Sequence, residues 1–221
     1  GAVFATKYAL QTAINEYYYE KNAAITLYGT MNCWDVSAIT DMSYLFNWQS
    51  SMNENIGCWD VSNVTSMAYM FYGAGMFNQD IGIWNVSNVQ NMYYMFASSF
   101  FNQNIGEWDV SNVSSMSGMF YYASAFNQDI SRWNTSFVQD LSYMFYQAKT
   151  FNQSLCNWFQ YFTVNMPYLD AMFSYSGCPL KLQPNGVSKS NFCQRCEIQD
   201  GRNGMSLTTQ CFLVPFTFRS Q

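Results

Sequence analysis

The sequence predicts an α/β fold, a leucine-rich-repeat-like solenoid of about six turns with short parallel strands on one side and short helices on the other. Two observations support this prediction. Six tryptophans recur at intervals of 24 or 25 residues, a period typical of solenoid repeats. Around each tryptophan the apolar residues lie two or three apart, which favours a strand. After it they lie three or four apart, which favours a short helix.

The same apolar columns return in every repeat when positions are counted from its tryptophan. They hold mostly Val at +2 and +5, mostly Met at +8 and Phe at +12. One repeat alone cannot bury these side chains, so neighbouring repeats must pack on each other. Serine at +3 is predicted to cap each helical segment; it occupies Ser37, Ser62, Ser87, Ser111 and Ser136.

An asparagine column follows Met52 in the first repeat and a phenylalanine in each later one. It contains Asn53, Asn78, Asn102, Asn127 and Asn152. Asparagines that stand in register can hydrogen-bond from one repeat to the next and satisfy turn backbone. We therefore expect a structural ladder here rather than a row of ligand-binding amides, and we expect Asn152 to be buried.

The stretch "SNVTSMAYMFYGAGMFNQDIGIWNVSNV" resembles the repeat of the BspA-like leucine-rich-repeat surface proteins, a family of bacterial surface proteins and secreted proteins of unicellular eukaryotes. The similarity covers residues 34–173, and the columns Trp-[Asp/Asn]-Val-Ser and Phe-Asn-Gln carry it. The resemblance implies an extracellular or cell-surface location and a role in adhesion or matrix. It implies no catalysis and no shared functional residue.

Three segments are predicted. Residues 1–33 form an N-terminal helical cap that begins at Thr6 and directs Tyr8, Leu10, Ala13, Ile14 and Tyr17 to one face. Residues 34–173 are the solenoid repeats, and residues 174–221 form a cysteine-containing C-terminal cap or tail. The apolar end of this tail is predicted either to cap the solenoid as a strand or to dock on the next subunit. The candidate residues for that assembly contact are Phe212, Leu213, Val214, Phe216 and Phe218.

The composition excludes several classes of function. A net charge of −5 argues against a nucleic-acid partner, and no apolar run approaches the roughly 20 residues of a membrane span. The chain has no histidine, which excludes Ser-His and Cys-His nucleophile pairs. It also lacks a glycine-rich phosphate loop. Carboxylates such as Asp60 and Asp80 recur as repeat columns, whereas an acid/base pair needs one special environment. We therefore predict no enzymatic activity and no cofactor.

Seven cysteines suggest an oxidising, extracellular setting. Cys33 and Cys58 each precede a tryptophan in consecutive turns, and adjacent strands lie within disulfide reach, so a bond between them is predicted. Cys156 and Cys178 are predicted to pair likewise. An odd number of cysteines then remains, at Cys193, Cys196 and Cys211. The alternative is a zinc site built from Cys178 and these three residues.

N-glycosylation sequons mark a further set of candidates. We expect modification at Asn63, Asn85, Asn112 and Asn134, whereas the buried Asn152 should stay unmodified. The alternative is that the sequons arise by chance from the repeated phrase.

Two functions compete at this stage. The first is a secreted or cell-surface structural protein that associates with itself, as a head-to-tail subunit of an extracellular fibre or matrix. The second is a monomeric adhesin that binds a glycan or a surface protein through one face of the solenoid. The candidate surface for such a ligand includes the row after each tryptophan and a tyrosine column; these are Asp35, Asp60, Asn85, Asp109, Asn134, Tyr44, Tyr69, Tyr94 and Tyr143. Ice binding is a weak third interpretation, because no threonine ladder runs through the repeats.

Overall fold

Two α helices lie at the start of the structure, a computed structural model that describes residues 1–162 and 167–178. Helix α1 spans Lys7–Tyr19, and helix α2 spans Lys21–Tyr28. Thr6 is confirmed as the N-cap residue of α1, because its hydroxyl accepts a hydrogen bond from the Ala9 N–H at 3.2 Å. Four of the five predicted face residues are buried, and Tyr8 is the exception at 83% exposed. Helix α2 is followed by Gly29, whose φ of 76° is easily adopted only by glycine.

The predicted fold class is wrong. The described part of the chain contains no β-strand and no sheet, and after Tyr28 its only helices are 3₁₀ segments at Met31–Cys33 and Cys156–Tyr161. The segments around the tryptophans, predicted as strands, are turns. The segments after them, predicted as helices, are also turns. A solenoid of about six turns with parallel strands on one side and helices on the other is therefore not what these residues form.

Consecutive repeats are instead joined by backbone hydrogen bonds from alternate residues. In the first repeat Met42, Tyr44 and Phe46 each donate their N–H to the following repeat, while Leu45 donates back to Met42 within its own turn. Donors that alternate in this way leave too few N–H groups for an α helix. Isolated parallel bridges accompany the pattern, and they link Asp41, Ser66, Asn91, Ser115, Asp140 and Tyr168 in series. The bridges thus stand where helices were predicted.

The core matches the predicted apolar columns. The +12 phenylalanines are fully buried and stack on one another along the repeats, with ring centroids 5.5 Å apart for Phe46 and Phe71 and 5.4 Å for Phe71 and Phe96. The six tryptophans of the repeat column are also buried, and from Trp84 onward the indole N–H donates to a carbonyl of an earlier repeat, as in the 3.2 Å bond from Trp84 to Ile56. A buried indole needs such a partner, so the tryptophan column both fills the core and joins the repeats.

Helix α1 closes the first end of the repeats. Its buried face packs into the common core, and its polar side chains supply donors to the first repeat. Lys7 binds the Asp41 carboxylate and the Ser43 hydroxyl, both at 2.8 Å, and Gln11 donates to the Leu45 carbonyl at 3.1 Å. No helix within residues 1–162 or 167–178 has the length and apolarity that crossing a membrane would take.

Candidate functional site

The residue that directly follows each tryptophan takes part in a turn. The Asp60 carboxylate accepts the Ser62 N–H at 3.0 Å, and Asn85 accepts both the N–H and the hydroxyl of Ser87. The serine hydroxyl and N–H lower the pKa of Asp60 below its usual range. A general acid needs a raised pKa, so Asp60 has the properties of a turn residue rather than of a catalytic acid. Serine at +3 therefore donates to the side chain two residues earlier and is not the predicted helix cap.

The asparagine ladder is present in the structure. From Asn78 onward, each member's backbone N–H donates to the side-chain oxygen of the asparagine one repeat earlier, at 3.0 Å from Asn78 to Asn53 and 2.9 Å from Asn102 to Asn78. The glutamines that follow also donate backwards, as Gln79 does to Asn53. The prediction about Asn152 is wrong, because this residue is exposed. The ladder runs along the surface and not through the core.

The sequon asparagines fall into two geometric groups. Asn63 and Asn112 are exposed, but the side-chain N–H of each donates a hydrogen bond to the earlier repeat. Asn63 donates to the Ser37 carbonyl at 2.9 Å and Asn112 to the Ser87 carbonyl at 2.7 Å. In the exposed Asn85 and the half-buried Asn134, the side-chain oxygen binds the serine two residues on. The nitrogen that would carry a glycan is thus engaged in the first group only.

The described cysteines differ from the predicted pairs. Cys33 and Cys58 are free, exposed thiols, so the predicted bond between them is absent. The reason is local: Cys33 ends a 3₁₀ turn rather than lying in a strand, and its sulfur accepts a hydrogen bond from the Thr30 hydroxyl. Cys156 and Cys178 are both disulfide-bonded, and their pairing with each other stays a prediction.

The remaining cysteines and the predicted assembly tail lie outside the described residues. These positions are Cys193, Cys196, Cys211, Phe212, Leu213, Val214, Phe216 and Phe218. Over residues 1–162 and 167–178, no cluster of three metal-ligating side chains occurs.

An aromatic surface lies on the turns that follow the tryptophans, and we call it the tyrosine face. Ten tyrosine and tryptophan side chains of the segments 42–50, 67–75, 92–100, 116–124 and 141–148 form it, and none of them is buried. They are Tyr44, Trp48, Tyr69, Tyr72, Tyr93, Tyr94, Tyr121, Tyr122, Tyr143 and Tyr146. The first four segments contain no charged residue, and the exposed Lys149 directly follows the fifth. The face is therefore a long aromatic surface with few charges in the repeats as described.

The rings of this face form a continuous row along the repeats. Tyr44 stacks on Tyr69 with centroids 4.7 Å apart, and Tyr69 stacks on Tyr94 at 5.6 Å. The row continues through Tyr121, 5.4 Å from Tyr94, to Tyr146 at 5.1 Å. Loss of contact with water raises the pKa of Tyr69, with a further contribution from its hydrogen bond to Tyr93. The Tyr69 phenol therefore stays neutral in ordinary buffers.

Left-handed backbone sets the course of the tyrosine face. Tyr44, Tyr69, Tyr94 and Tyr143 have φ between 53° and 63°, a region that bulky residues rarely adopt. The equivalent residue in the fourth repeat is Gly118, and a Cβ there would lie 2.3 Å from the Tyr94 ring. This glycine leaves room for the ring to lie against the backbone.

A cavity of about 370 Å³ lies between helix α1 and the first repeat. Its apolar wall includes Ile14 and Phe46, and its rim includes Gln49 and the ion pair of Lys21 with Glu54, 2.6 Å apart. This volume falls in the range of small-molecule pockets, about 300–1,000 Å³.

Sequence reasoning missed most of the tyrosine face. The tyrosine column at +10 was noted, but Trp48 and Tyr122 lie outside it. The signal that could have found the face was the lack of charge in four of the five equivalent segments. The left-handed backbone had only a weak signal, because glycine marks it at just two positions, Gly73 and Gly118.

Hydrogen-bonded ladders between repeats and the long tyrosine face define a repeat protein. Its outer surfaces are its candidate functional sites. Residues 12–101 and 97–177 match the family described as "Mycoplasma protein of unknown function, DUF285". The chain therefore belongs to the DUF285 family. No curated protein and no solved structure matches it.

Proposed function

We propose that the chain is a non-enzymatic structural protein of the cell surface or extracellular space that associates with copies of itself. In this proposal it is a head-to-tail subunit of a fibre or matrix and carries N-linked glycans. The three segments 1–33, 34–173 and 174–221 would act as starting cap, repeat body and terminal cap.

The observation that carries this proposal is the difference between the two ends of the repeats. At the first end, Lys7 and Gln11 of α1 already bind the first repeat. At the other end, the N–H groups of Leu169, Ala171 and Phe173 occupy the positions that donate to a following repeat elsewhere, and none has an acceptor among the described residues. Unpaired donors in a row favour pairing with another chain. Unlike ends in contact generate filaments.

The extracellular location rests on composition and on resemblance. The repeat is similar to that of the BspA-like surface proteins, and seven cysteines in 221 residues are typical of an oxidising environment. The proposal of no catalysis rests on the missing histidine and on carboxylates, such as Asp60, that are held in turns.

A second candidate function is an adhesin, and the cavity beside α1 favours it. The Gln49 side-chain amide lines this cavity and makes no hydrogen bond to any described residue. An amide, an ion pair and tyrosine rings together suit a hydroxyl-rich ligand such as a sugar. A glycan array separates this candidate: a Gln49→Ala variant should lose any binding that the unaltered chain shows.

Electron microscopy of the native, full-length protein tests the main proposal. We expect long, regular fibres whose number increases with protein concentration. Single particles at every concentration would contradict self-association. Mass spectrometry of the same material tests the glycans, with higher occupancy expected at Asn85 than at Asn63, whose amide nitrogen is engaged. Unmodified peptides at all sites would refute the glycan part.

A further inference from the structure

Tyr122 and Tyr146 of the tyrosine face are held side by side in adjacent repeats by the backbone. The Tyr122 N–H donates to the Tyr146 carbonyl oxygen at 2.7 Å. The centroids of the two rings lie 5.7 Å apart, and their planes are tilted by 48°. This separation falls within the contact range of aromatic pairs, about 4.5–7 Å. The two phenol rings are therefore in contact across the boundary between the fourth and fifth repeats.

Within the described repeats, this backbone bond joins two tyrosines at one boundary only. At the other boundaries the equivalent donor is a residue of another type; these donors are Trp48, Gly73, Ser98 and Gln147. The contact is therefore not a property of the repeated phrase. Tyr122 departs from its column, and the departure places its phenol beside the phenol of Tyr146.

Tyr146 has further tyrosine rings around it. Tyr121 stacks on it with centroids 5.1 Å apart, and the Tyr175 ring lies 5.5 Å away, edge to face. Tyr122 is 46% exposed and Tyr175 63%, whereas Tyr146 itself is half-buried. An oxidant in solution can thus reach two rings that share Tyr146 as their neighbour.

We propose that Tyr122 and Tyr146 form a site of oxidative cross-linking, at which a haem peroxidase with hydrogen peroxide joins the two rings into a dityrosine. Each phenol loses one electron and one proton, which gives two neighbouring phenoxyl radicals. A carbon–carbon bond forms between the ring carbons beside the two oxygens. The proton on each of these carbons then transfers to the oxygen, so that both phenols are restored. The two electrons and two protons removed reduce one hydrogen peroxide to two water molecules.

The tilt of the two rings suits this bond. In the product the ring planes are twisted apart, because the atoms beside the new bond would clash if the rings were coplanar. Rings stacked face to face, such as Tyr44 and Tyr69 at 16°, must first separate. Tyr94 and Tyr121 are tilted by 46°, but neither is exposed. The proposed pair combines the tilt with a ring that solvent reaches and a backbone bond that fixes the spacing.

The link would join two repeats covalently. It closes the loop from residue 122 to residue 146 and so restricts the unfolded chain, as a disulfide does. The inference goes beyond the proposed function and does not depend on self-association, because both rings belong to one chain.

Treatment of the full chain with a haem peroxidase and hydrogen peroxide tests the proposal. We expect a monomer that is lighter by two hydrogen atoms and has the fluorescence of dityrosine. Digestion should release a linked pair of peptides that contains Tyr122 and Tyr146. The yield of this product should not change with protein concentration, since the reaction occurs within one chain.

Conservative variants supply the comparison. Tyr146→Phe and Tyr122→Phe keep the ring and its packing but lack the phenol, so each should abolish the linked peptides. Tyr8→Phe is the control, because it removes a phenol that is 83% exposed on helix α1, at the other end of the repeats. It should leave the yield unchanged. Thermal unfolding before treatment checks that all three variants fold.

Three results would overturn the inference. The first is a product that contains links between copies only, with a yield that rises with protein concentration. The second is an unchanged yield within the chain for either Tyr146→Phe or Tyr122→Phe. The third is a linked peptide that joins Tyr146 to Tyr175 in place of Tyr122. Fibres seen in the microscope would be unaffected by any of these results, so the proposed self-association is judged separately.

Discussion

Thr135 stands where the other repeats have valine, and its replacement by valine should stabilise the protein. The side chain is 1% exposed, and its hydroxyl has no hydrogen-bond partner. The equivalent Val110 and Val86 are as deeply buried. The repeat therefore provides the apolar environment of a valine around a hydroxyl group.

The magnitude follows from two contributions. A buried hydroxyl without a partner costs about 1–3 kcal/mol, and a methyl group in its place adds apolar burial of about 0.8 kcal/mol. Thr135→Val should thus raise the free energy of unfolding by roughly 2 kcal/mol. For a chain of this size that corresponds to an increase in Tm of about 4–8 °C. The change leaves the Asn134 sequon intact.

Differential scanning calorimetry measures this effect, with Val110→Thr as the matched control. The control introduces a hydroxyl at the same column of the preceding repeat, so we expect a decrease in Tm of similar size. An unchanged or lower Tm for Thr135→Val, with the expected loss for Val110→Thr, would show that the Thr135 hydroxyl is satisfied and that the reasoning is wrong.

Three further predictions concern the turns and the ladder. Gly118→Ala should lower stability by about 1–3 kcal/mol in denaturant titrations, because φ is +62° and the Tyr94 ring occupies the Cβ position; Gly75→Ala, with its nearest neighbour at 3.7 Å, should be tolerated. Asn102→Ala should cost about 1–2 kcal/mol by removing the acceptor of the 2.9 Å bond from the next repeat, whereas Asn102→Asp keeps an acceptor and should cost less. Because the pKa of Asp60 is lowered in the folded protein, this carboxylate stabilises the fold above the unfolded pKa of about 4. The stabilisation is lost as pH falls through the folded pKa. In Asp60→Asn the decrease of Tm at acid pH should therefore be shallower, and an unchanged decrease would contradict the assignment.

The sequence was sufficient to predict the core and insufficient to predict the backbone that carries it. Columns such as Phe71 and Val61 were correctly placed inside, because burial depends on which residues recur and not on how the chain turns between them. The spacing of three or four residues from Met67 to Phe71 is typical of a helix. A series of turns with left-handed residues at Tyr69 and Gly73 produces the same spacing. Periodicity alone does not separate the two.

The outer ladders show the same division. The asparagine ladder was predicted because its residues stand in register, and register is visible in a sequence. The prediction that Asn152 is buried is wrong. It relied on the neighbouring Phe151 and Leu155, which lie in the core, but in a turn consecutive residues can face opposite ways. The predicted disulfide between Cys33 and Cys58 is absent for the same kind of reason, because the prediction assumed strands where the chain forms turns.

The hydrogen bonds between repeats have a direction, and this direction limits how copies can meet. In the turns that follow the tryptophans, most backbone donors between repeats point towards the following repeat, so there the first repeat presents acceptors and the last described repeat presents donors. Helix α1 already covers the acceptor end with the side chains of Lys7 and Gln11. A second copy therefore cannot continue the bonding pattern simply by adding its first repeat to the free N–H groups of Leu169 and Ala171. It must offer acceptors from another surface, or α1 must move.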